Sequence, residues 1–239
     1  MSLLQETCGA ITGRSLEIER HIIDSWNTAS PVERYGRLVN MVAQYGAATN
    51  QETLAIPKPC MIIASADHGV ADMGVSAYPK ETTVGMTQNY LIPKGAGANS
   101  LANYCGAQME VIDMGIDADM SWVPALRSHK LGRGTKNFVE EPAMTREQAI
   151  EGIETGIRLV KEKIDEGFNV FLVGEMGISN TTASALMTAK FAGLTAEEAT
   201  GRGTNISDER LKLKQRIVHD VLEKYKDIPK DDAIGILSS

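Results

Sequence analysis

The chain of 239 residues has few cysteines and lacks the sequence signature of a disulfide scaffold or a metal site. Its three cysteines, Cys8, Cys60 and Cys105, are an odd number without CxxC spacing, so buried thiols in a reducing compartment are expected. The four histidines are scattered and lack the spacing of metal ligands. We therefore expect a cytoplasmic protein with no metal and no cofactor.

Membrane and nucleic-acid partners are not expected either. No apolar run approaches the roughly 20 residues needed to cross a bilayer, and no basic-then-apolar signal opens the chain. The net charge of −7 argues against nucleic acid, since phosphate backbones select basic surfaces. The chain also lacks the Gly-Lys-Ser/Thr of a P-loop and the GxGxxG dinucleotide fingerprint. These absences disfavour ATPases and NAD-dependent enzymes.

The beginning of the chain is predicted to be a helical N-terminal segment, residues 1–50. Ser15 has the chemistry of a helix N-cap, and apolar residues recur at helical period on both sides of Pro31. The residues expected to be buried are Leu16, Ile22, Ile23 and Trp26 in the first helix, and Val32, Tyr35, Leu38, Val39, Val42 and Tyr45 in the second. Neither helix carries obvious chemistry, and we expect both to pack on a neighbour or a partner subunit.

Residues 51–239 are predicted to form an α/β nucleotide-binding domain. Short apolar runs typical of buried strands lie at 60–65, 109–114 and 168–173. Thr145 and Gln148 form a capping box before an amphipathic helix. Its apolar face is Ile150, Ile153, Ile157, Val160 and Ile164; further helices are predicted near 80–91, 97–105, 181–192, 196–200 and 208–225, and residues 115–144 are mostly loop.

Strands that alternate with helices define the expected fold class. They predict an α/β protein with a doubly wound, mostly parallel sheet and helices on both faces, plus a small helical N-terminal subdomain. In such sheets, ligands bind at the carboxyl ends of the strands. Polar residues at those ends are therefore the candidates for function.

The first candidate follows strand 60–65, where Ala66-Asp67-His68-Gly69 begins a polar turn. Asp67 and His68 have side chains that could bind ribose hydroxyls or move a proton. The alternative is a structural turn in which Asp67 accepts hydrogen bonds from backbone amides.

The second candidate is the segment Gly-Glu-Met-Gly-Ile-Ser-Asn-Thr-Thr, which follows strand 168–173 and precedes a helix. A helix N-terminus favours an anion such as phosphate, and Glu175 beside it could serve as an acid or base. The residues that would surround the phosphate are Gly177, Ser179, Asn180, Thr181 and Thr182. As an alternative, Asn-Thr-Thr merely caps the helix.

A third candidate is Gly201-Arg202-Gly203-Thr204, between two predicted helices. Its glycines allow close approach of an anion to the backbone, and the Arg202 guanidinium offers two parallel donors. Lys214 then falls on the apolar stripe of helix 208–225, where it could neutralise a phosphate. The alternatives are a plain turn between helices and a lysine that extends to water along its stem.

Residues 76–90 form a fourth candidate, a slot for a flat ring. Pro79 suits the start of a helix, and Tyr78 with Met86 could supply apolar walls, with Ser76 beside them. Core packing is the alternative for each of these residues taken alone.

These motifs together resemble the nicotinate-nucleotide–dimethylbenzimidazole phosphoribosyltransferases of cobalamin biosynthesis. The resemblance runs from about Arg34 to Ser239 and rests on the motifs at 66–71, 74–79, 174–182 and 201–204. It implies transfer of phosphoribose from nicotinate mononucleotide to the aromatic lower-ligand base of a cobamide. It also implies that Gly177 to Thr182 and Gly201 to Thr204 hold the phosphate, that Glu175 lies near the base and that Lys214 points inward.

Several departures from the family pattern bear on the acceptor and on completeness. Gly85-Met86 stands where relatives have Gln-Met in the base pocket, so phenol or p-cresol, used by heterodimeric relatives, is an alternative to dimethylbenzimidazole. Ser179 and Asn205 replace glycines, and the run around Arg34 to Leu38 is altered. Members of the family also continue for about a hundred residues beyond the position of Ser239, and their general-base glutamate lies there in a Gly-Glu-Gly-Thr segment. Residues 231–237 have the pattern of a helix that is cut short. We therefore expect the chain to be incomplete.

The resemblance leaves three functional hypotheses. The first is a phosphoribosyltransferase that acts on nicotinate mononucleotide and an aromatic base, as a homodimer or a heterodimer with a paralogue. The second is a non-catalytic partner subunit that binds the mononucleotide or completes a paralogue's active site. The third, an unrelated sugar-phosphate enzyme, predicts that nicotinate mononucleotide does not bind.

Overall fold

The computed structural model describes residues 2–29 and 35–239 of the chain. These residues form two compact units, Met1–Pro57 and Lys58–Ser239. Each unit contains its own hydrophobic contacts. Pro31, Val32 and Arg34, which entered the sequence predictions, lie outside the described residues.

The described residues of the first unit form the helices α1 (Leu3–Ala10), α2 (Leu16–Ala29) and α3 (Arg37–Thr49), and α2 packs against α3. The Ser15 hydroxyl accepts a hydrogen bond from the Ile18 amide at 3.3 Å, so the predicted N-cap is confirmed. Leu16 was wrongly predicted to be buried: it is 56% exposed, because it lies about 120° around the helix from buried Ile22.

The buried face of α3 also differs from the prediction. Val39 is buried as expected, but Tyr35 and Leu38 are exposed. Small residues form the rest of the buried face, namely Ala43, Gly46 and Ala47. A pattern search that counts only large apolar residues misses such a face, since small side chains allow the closest approach of two helices.

The second unit is built on a four-stranded parallel sheet, which confirms the predicted α/β class. Its strands are β1 (Pro59–Ala66), β2 (Gln108–Gly115), β3 (Arg127–Ser128) and β4 (Val170–Met176), in the order β3-β2-β1-β4. The two-residue strand β3 lies in the segment predicted as mostly loop, where so short a strand leaves no periodic signal. The helices are α4 (Thr82–Leu91), α5 (Gly97–Cys105), α6 (Arg146–Asp165), α7 (Asn180–Ala192), α8 (Ala196–Ala199), α9 (Asp208–Lys224) and α10 (Ala233–Ser238), with a 3-10 helix at Gly69–Met73.

Strand β4 lies further along the chain than predicted. Its pairing with β1 runs from Val170 opposite Pro59 to Met176 opposite Ser65. Phe168, which opens the predicted strand 168–173, is buried, but its amide donates to the Lys163 carbonyl in the turn after α6. Glu175 is therefore within the strand, and its backbone position is set by the sheet.

Helices cover both faces of the sheet. On one face, Ile62 of β1 and Ile112 of β2 pack with Leu159 of α6. On the other, Met109 of β2 accepts a hydrogen bond from Asn99 of α5 at 3.4 Å. The doubly wound arrangement leaves the carboxyl ends of β1 and β4 side by side.

Helix α6 begins as predicted, with Thr145 and Gln148 in a reciprocal capping box. Its buried face is rotated from the predicted isoleucine stripe. Ile164 is 53% exposed, whereas Lys163 is 4% exposed because its ammonium forms ion pairs with Glu110 and Glu166. The apolar periodicity of the sequence does not predict a buried lysine, so the predicted buried face of α6 was displaced from the observed one.

Among the described residues, every helix is too short or too polar to span a bilayer. In the same part of the chain, histidine, cysteine, aspartate and glutamate side chains form no group of three or more that could hold a metal ion.

Candidate active site

The adjacent ends of β1 and β4 bring Glu175 and His68 together. His68 Nε2 lies 3.0 Å from Glu175 Oε1. The side-chain amide of Asn180, at the start of α7, donates to the other carboxyl oxygen, Oε2. Both oxygens of Glu175 therefore have a partner, and the carboxyl group is held in one orientation.

Gly177 makes this arrangement possible. A Cβ atom at this position would clash with the carbonyl oxygen of Ala66 and would lie 2.7 Å from both Glu175 Oε1 and His68 Cδ2. A side chain at residue 177 would therefore separate the two strand ends. The sequence prediction placed Gly177 in the phosphate loop, and the structure adds this role in packing.

The surroundings of Glu175 favour its protonated form. Desolvation raises the pKa of the Glu175 carboxyl, while the hydrogen bond and the charge of His68 act to lower it. The side chain is still 38% exposed, so solvent reaches the carboxyl group. A carboxyl group with a raised pKa and access to solvent is suited to exchange protons at a higher pH than an ordinary glutamate.

The two predicted phosphate loops line one cleft. The first loop contributes residues from Met176 to Thr181 and the second contributes Arg202, Gly203 and Thr204. Val75 and Ser76 complete the wall. Of the predicted phosphate-loop residues, Thr182 and Gly201 do not line the cleft: Thr182 is fully buried within α7, and Gly201 lies just outside.

Lys214 joins the two loops from below. It is 1% exposed, as its position on the apolar stripe of α9 predicted. Its ammonium donates to the Thr181 hydroxyl at 2.7 Å and to the Gly201 carbonyl at 3.2 Å. Burial lowers the pKa of Lys214. The lysine therefore holds the loops together, and any anion in the cleft would lie close to its charge.

Gly203 allows the loops to approach each other. Its φ is +66°, and a Cβ atom there would lie 2.8 Å from the Thr181 hydroxyl oxygen. A larger residue would therefore be strained by its backbone conformation and would push the hydroxyl away from Lys214.

Ser179 and Asn205, which replace glycines of the resembling family, both have left-handed backbone conformations, with φ of 76° and 58°. This geometry explains why glycine suits the two positions. The Ser179 and Thr182 hydroxyls are buried and have no hydrogen-bond partner among the described residues. Ser179 lines the cleft, but its hydroxyl oxygen is itself buried.

Arg202 is already engaged. Its guanidinium donates to the Ile206 carbonyl at 2.8 Å and also to the carboxylate of Asp208. The side chain is 46% exposed at the edge of the cleft. An anion in the cleft would therefore compete with the Ile206 carbonyl and with Asp208 for the two parallel donors that the sequence pattern indicated.

Only one oxygen of the Asp67 carboxylate has the backbone partner expected of a structural turn; the other, Oδ1, is buried without a hydrogen-bond partner among the described residues. Asp67 is 7% exposed, and its Oδ2 accepts a hydrogen bond from the Asp117 amide at 2.8 Å. Its backbone also pairs with Gly115 and Thr135. Asp67 does not line the cleft, whereas the neighbouring His68 reaches Glu175.

Of the residues predicted to form a slot for a flat ring, only Ser76 lines the cleft. The Thr204 hydroxyl accepts a hydrogen bond from the Ala77 amide at 3.0 Å. Tyr78 is 57% exposed next to them. Gly85 and Met86 lie on α4 and are not part of the cleft wall; space is open at Gly85, where no atom lies within 4 Å of an added Cβ.

Thr83 is a site residue that sequence reasoning missed. It is fully buried in the first turn of α4, and its hydroxyl accepts a hydrogen bond from the Ile178 amide at 3.1 Å. The bond ties the loop after β4 to α4. A threonine in a first helical turn is too common to reveal such a contact, which joins residues far apart in the chain.

A second cavity is lined in part by His68. It is mainly apolar. Its lining residues include Thr135, Phe138, Met144, Ala183, Lys190 and Tyr225. His68 therefore pairs with Glu175 and also lines an apolar cavity.

A parallel α/β sheet with small-residue loops and a buried lysine at its carboxyl edge is an arrangement whose chemistry suits a phosphate group. The chain matches the family DBI_PRT, described as phosphoribosyltransferase, over residues 15–239, and it belongs to that family.

Individual relatives agree with this assignment. The chain is 42% identical over 205 residues to the nicotinate-nucleotide–dimethylbenzimidazole phosphoribosyltransferase of Geobacter sulfurreducens, covering 86% of this chain and 58% of that protein. It is 37% identical over 241 residues to the protein of the same name from Chloroflexus aurantiacus, covering all of this chain and 68% of the relative.

The fold agrees as well. The crystal structure of CobT from Thermus thermophilus superposes with a TM-score of 0.85 at 31% identity, covering 93% of this chain and 66% of that one. The chain thus spans about three fifths to two thirds of the length of the proteins that it matches.

Proposed function

We propose that the protein is a phosphoribosyltransferase that moves phosphoribose from nicotinate mononucleotide to an aromatic base in cobamide biosynthesis. The observation that supports it most is Lys214, which joins two small-residue loops around one cleft beside Glu175. That arrangement offers an anion site next to an acid or base.

In the proposed reaction, a nitrogen or oxygen of the acceptor forms a bond to the anomeric carbon of ribose. The bond from that carbon to the pyridine nitrogen breaks, and nicotinate leaves with the electron pair. The acceptor's proton passes to Glu175 or to solvent. The pyridine is already cationic, so the protein's main tasks are to position both reactants and to accept one proton.

The phosphate would occupy the cleft. The Thr181 hydroxyl, which accepts a hydrogen bond from Lys214, can donate its own proton to a phosphate oxygen there, and the Lys214 charge lies next to it. Arg202 would exchange Asp208 for a phosphate oxygen. The base would lie towards Ser76 and Tyr78, with Gly85 and Met86 further along α4.

The test is to incubate the protein with nicotinate mononucleotide and each of dimethylbenzimidazole, phenol and p-cresol, and to detect phosphoribosylated products by mass spectrometry. The same experiment identifies the acceptor. No product from any base, and no binding of the mononucleotide by calorimetry, would contradict the proposal.

Lys214→Met keeps the length of the side chain and removes its charge. We expect the affinity for nicotinate mononucleotide to fall about 10- to 100-fold, because a hydrogen bond to a charged group contributes ~1.5–3 kcal/mol. Lys212→Met, at an exposed position on the same helix, is the matched control and should bind as the wild type does. Equal affinity of the two variants would remove Lys214 from the site.

A second candidate is a partner subunit that binds the mononucleotide without turnover and completes the site of a paralogue, in a heterodimer. The open space at Gly85 favours it, because a partner side chain could form the ring pocket there. Mononucleotide binding without product, together with activity on addition of the paralogue, would distinguish this candidate from the first.

A further inference from the structure

We propose that His68 is a positioning residue for Glu175: it orients the carboxylate and keeps it ready to accept a proton. This inference rests on the proposed function, since it assigns His68 to the same site. In this role His68 acts only through its hydrogen bond with Glu175 and does not itself contact a substrate.

The contact geometry leaves the pair little freedom. His68 Nε2 lies 3.0 Å from Glu175 Oε1, and Asn180 holds the other oxygen. The imidazole ring lies against Gly177, where an added Cβ would be 2.7 Å from His68 Cδ2. Only 14% of the His68 side chain is exposed. The ring cannot rotate away without losing both its packing and its hydrogen bond.

The pair also has a chemical consequence. An ionised carboxylate accepts hydrogen bonds only, so the shared proton of a charged Glu175 belongs to His68 Nε2. Desolvation of Glu175 favours the neutral carboxylic acid, which cannot take a proton from the aromatic substrate that accepts phosphoribose. The hydrogen bond and charge of His68 oppose that effect and lower the pKa of Glu175.

Other titratable groups surround the pair and define what a pH experiment measures. Tyr90 on α4 is close enough that the Glu175 charge raises the pKa of its phenol, after desolvation. Lys190 and Tyr225 line the apolar cavity that His68 also lines, and the Lys190 ammonium donates to the backbone carbonyls of Tyr225 and Lys226. Asp67 is bound to the Asp117 amide. Of the titratable groups named here, His68 is the one that forms a hydrogen bond with the Glu175 carboxyl group, whose other partner is the Asn180 amide.

The experiment compares His68→Phe, His68→Gln and His219→Gln in the full chain. Phenylalanine removes the donor, whereas the glutamine amide retains one at a similar distance from the backbone. His219 is the control, because its side chain is 64% exposed and pairs with Asp220. The Glu175 carboxyl is followed by carbon NMR of a glutamate-labelled protein, with its signal assigned from Glu175→Gln.

We expect His68→Phe to raise the pKa of Glu175 and His68→Gln to restore part of the difference. The turnover number should fall by about tenfold in His68→Phe, a part of the ~10²–10⁴ that a positioned acid or base contributes. The rise of rate with pH should move to higher pH, and the affinity for nicotinate mononucleotide should stay unchanged. A merely structural histidine would not move the pH profile.

An unchanged Glu175 titration in both His68 variants would overturn the proposal, whether or not the enzyme turns over. So would a shifted titration with an unshifted pH profile of the rate. If His68→Phe does not fold, His68→Gln against His219→Gln decides by the same measurements. Absence of product from the wild type would contradict the proposed function instead, while the titration would still show whether His68 sets the charge of Glu175.

Discussion

Several residues in or beside the cleft have a backbone conformation or a buried polar group that by itself costs folding free energy. Ser179 has a left-handed backbone and a buried hydroxyl without a partner among the described residues, and Lys214 is 1% exposed. Glu175 has a pKa raised by desolvation. Such states are found at functional sites, where the surrounding structure enforces them. They also yield measurable consequences for stability.

Ser179→Gly should stabilise the protein. Glycine adopts a positive φ without steric cost and removes a buried, unpaired hydroxyl, and the gain is partly offset by a more flexible unfolded chain. We expect the free energy of unfolding to rise by about 0.5–1 kcal/mol in urea denaturation. Asn205→Gly is the control and should gain less, because asparagine tolerates this conformation. A destabilised Ser179→Gly would show that the hydroxyl has a partner.

Glu175→Gln tests the raised pKa through stability. Above the ordinary pKa of 4.5, the unfolded chain releases a proton that folded Glu175 retains, so the wild type loses stability as pH rises through this window. Glutamine does not titrate. The unfolding free energy of Glu175→Gln relative to the wild type should therefore increase as pH rises from 4.5 towards neutrality. A difference that decreases over that range would mean that the folded protein favours the charged form.

At the scale of helices and strands, local signals predicted most elements well. Helix α5 has the predicted bounds of 97–105, and the capping box of α6 is present. Strand β4 was displaced because its limits depend on pairing with β1, not on its own apolar run. The contacts that fix the site are between elements, and the Thr83 hydroxyl is the clearest of them.

Thr83→Val should loosen the loop after β4. Valine has nearly the same shape, so the main loss is the acceptor for the Ile178 amide, and an unpaired buried amide costs about 1–3 kcal/mol. We expect that loss in urea denaturation, together with weaker binding of nicotinate mononucleotide. Thr83→Ser should restore both.

Thr87 supplies the matched control for this prediction. It is also fully buried on α4, but its hydroxyl donates within the helix to the Thr83 carbonyl at 2.8 Å. Thr87→Val should therefore leave mononucleotide affinity unchanged. Equal losses of affinity in the two valine variants would point to general disruption of α4.

At the scale of the whole molecule, all cleft residues belong to the unit Lys58–Ser239. This unit contains the sheet, its covering helices and the clusters around Ile62 and Val70. The helical unit Met1–Pro57 contributes none of the residues named at the site.

A fragment of residues 58–239 should therefore bind nicotinate mononucleotide. Because it has its own core, we expect an affinity within about threefold of the full chain, as for a domain that folds alone. Calorimetry measures the affinity, and far-ultraviolet circular dichroism checks that the fragment is folded. A folded fragment that does not bind would show that the first unit takes part in binding.

The α/β class, the alternation of elements and the two small-residue loops that line the cleft could be predicted from the chain itself, because they depend on near neighbours: apolar period, capping residues and small residues at turns. The burial of Lys214 could also be predicted, because its position on the apolar stripe of a single helix, α9, determines the direction of its side chain. The pairing of His68 with Glu175, the tie from Thr83 to Ile178 and the engagement of Asp67 by Asp117 needed the fold. These contacts join residues from 50 to 107 positions apart, and only the packing of strands and helices sets distances across such separations.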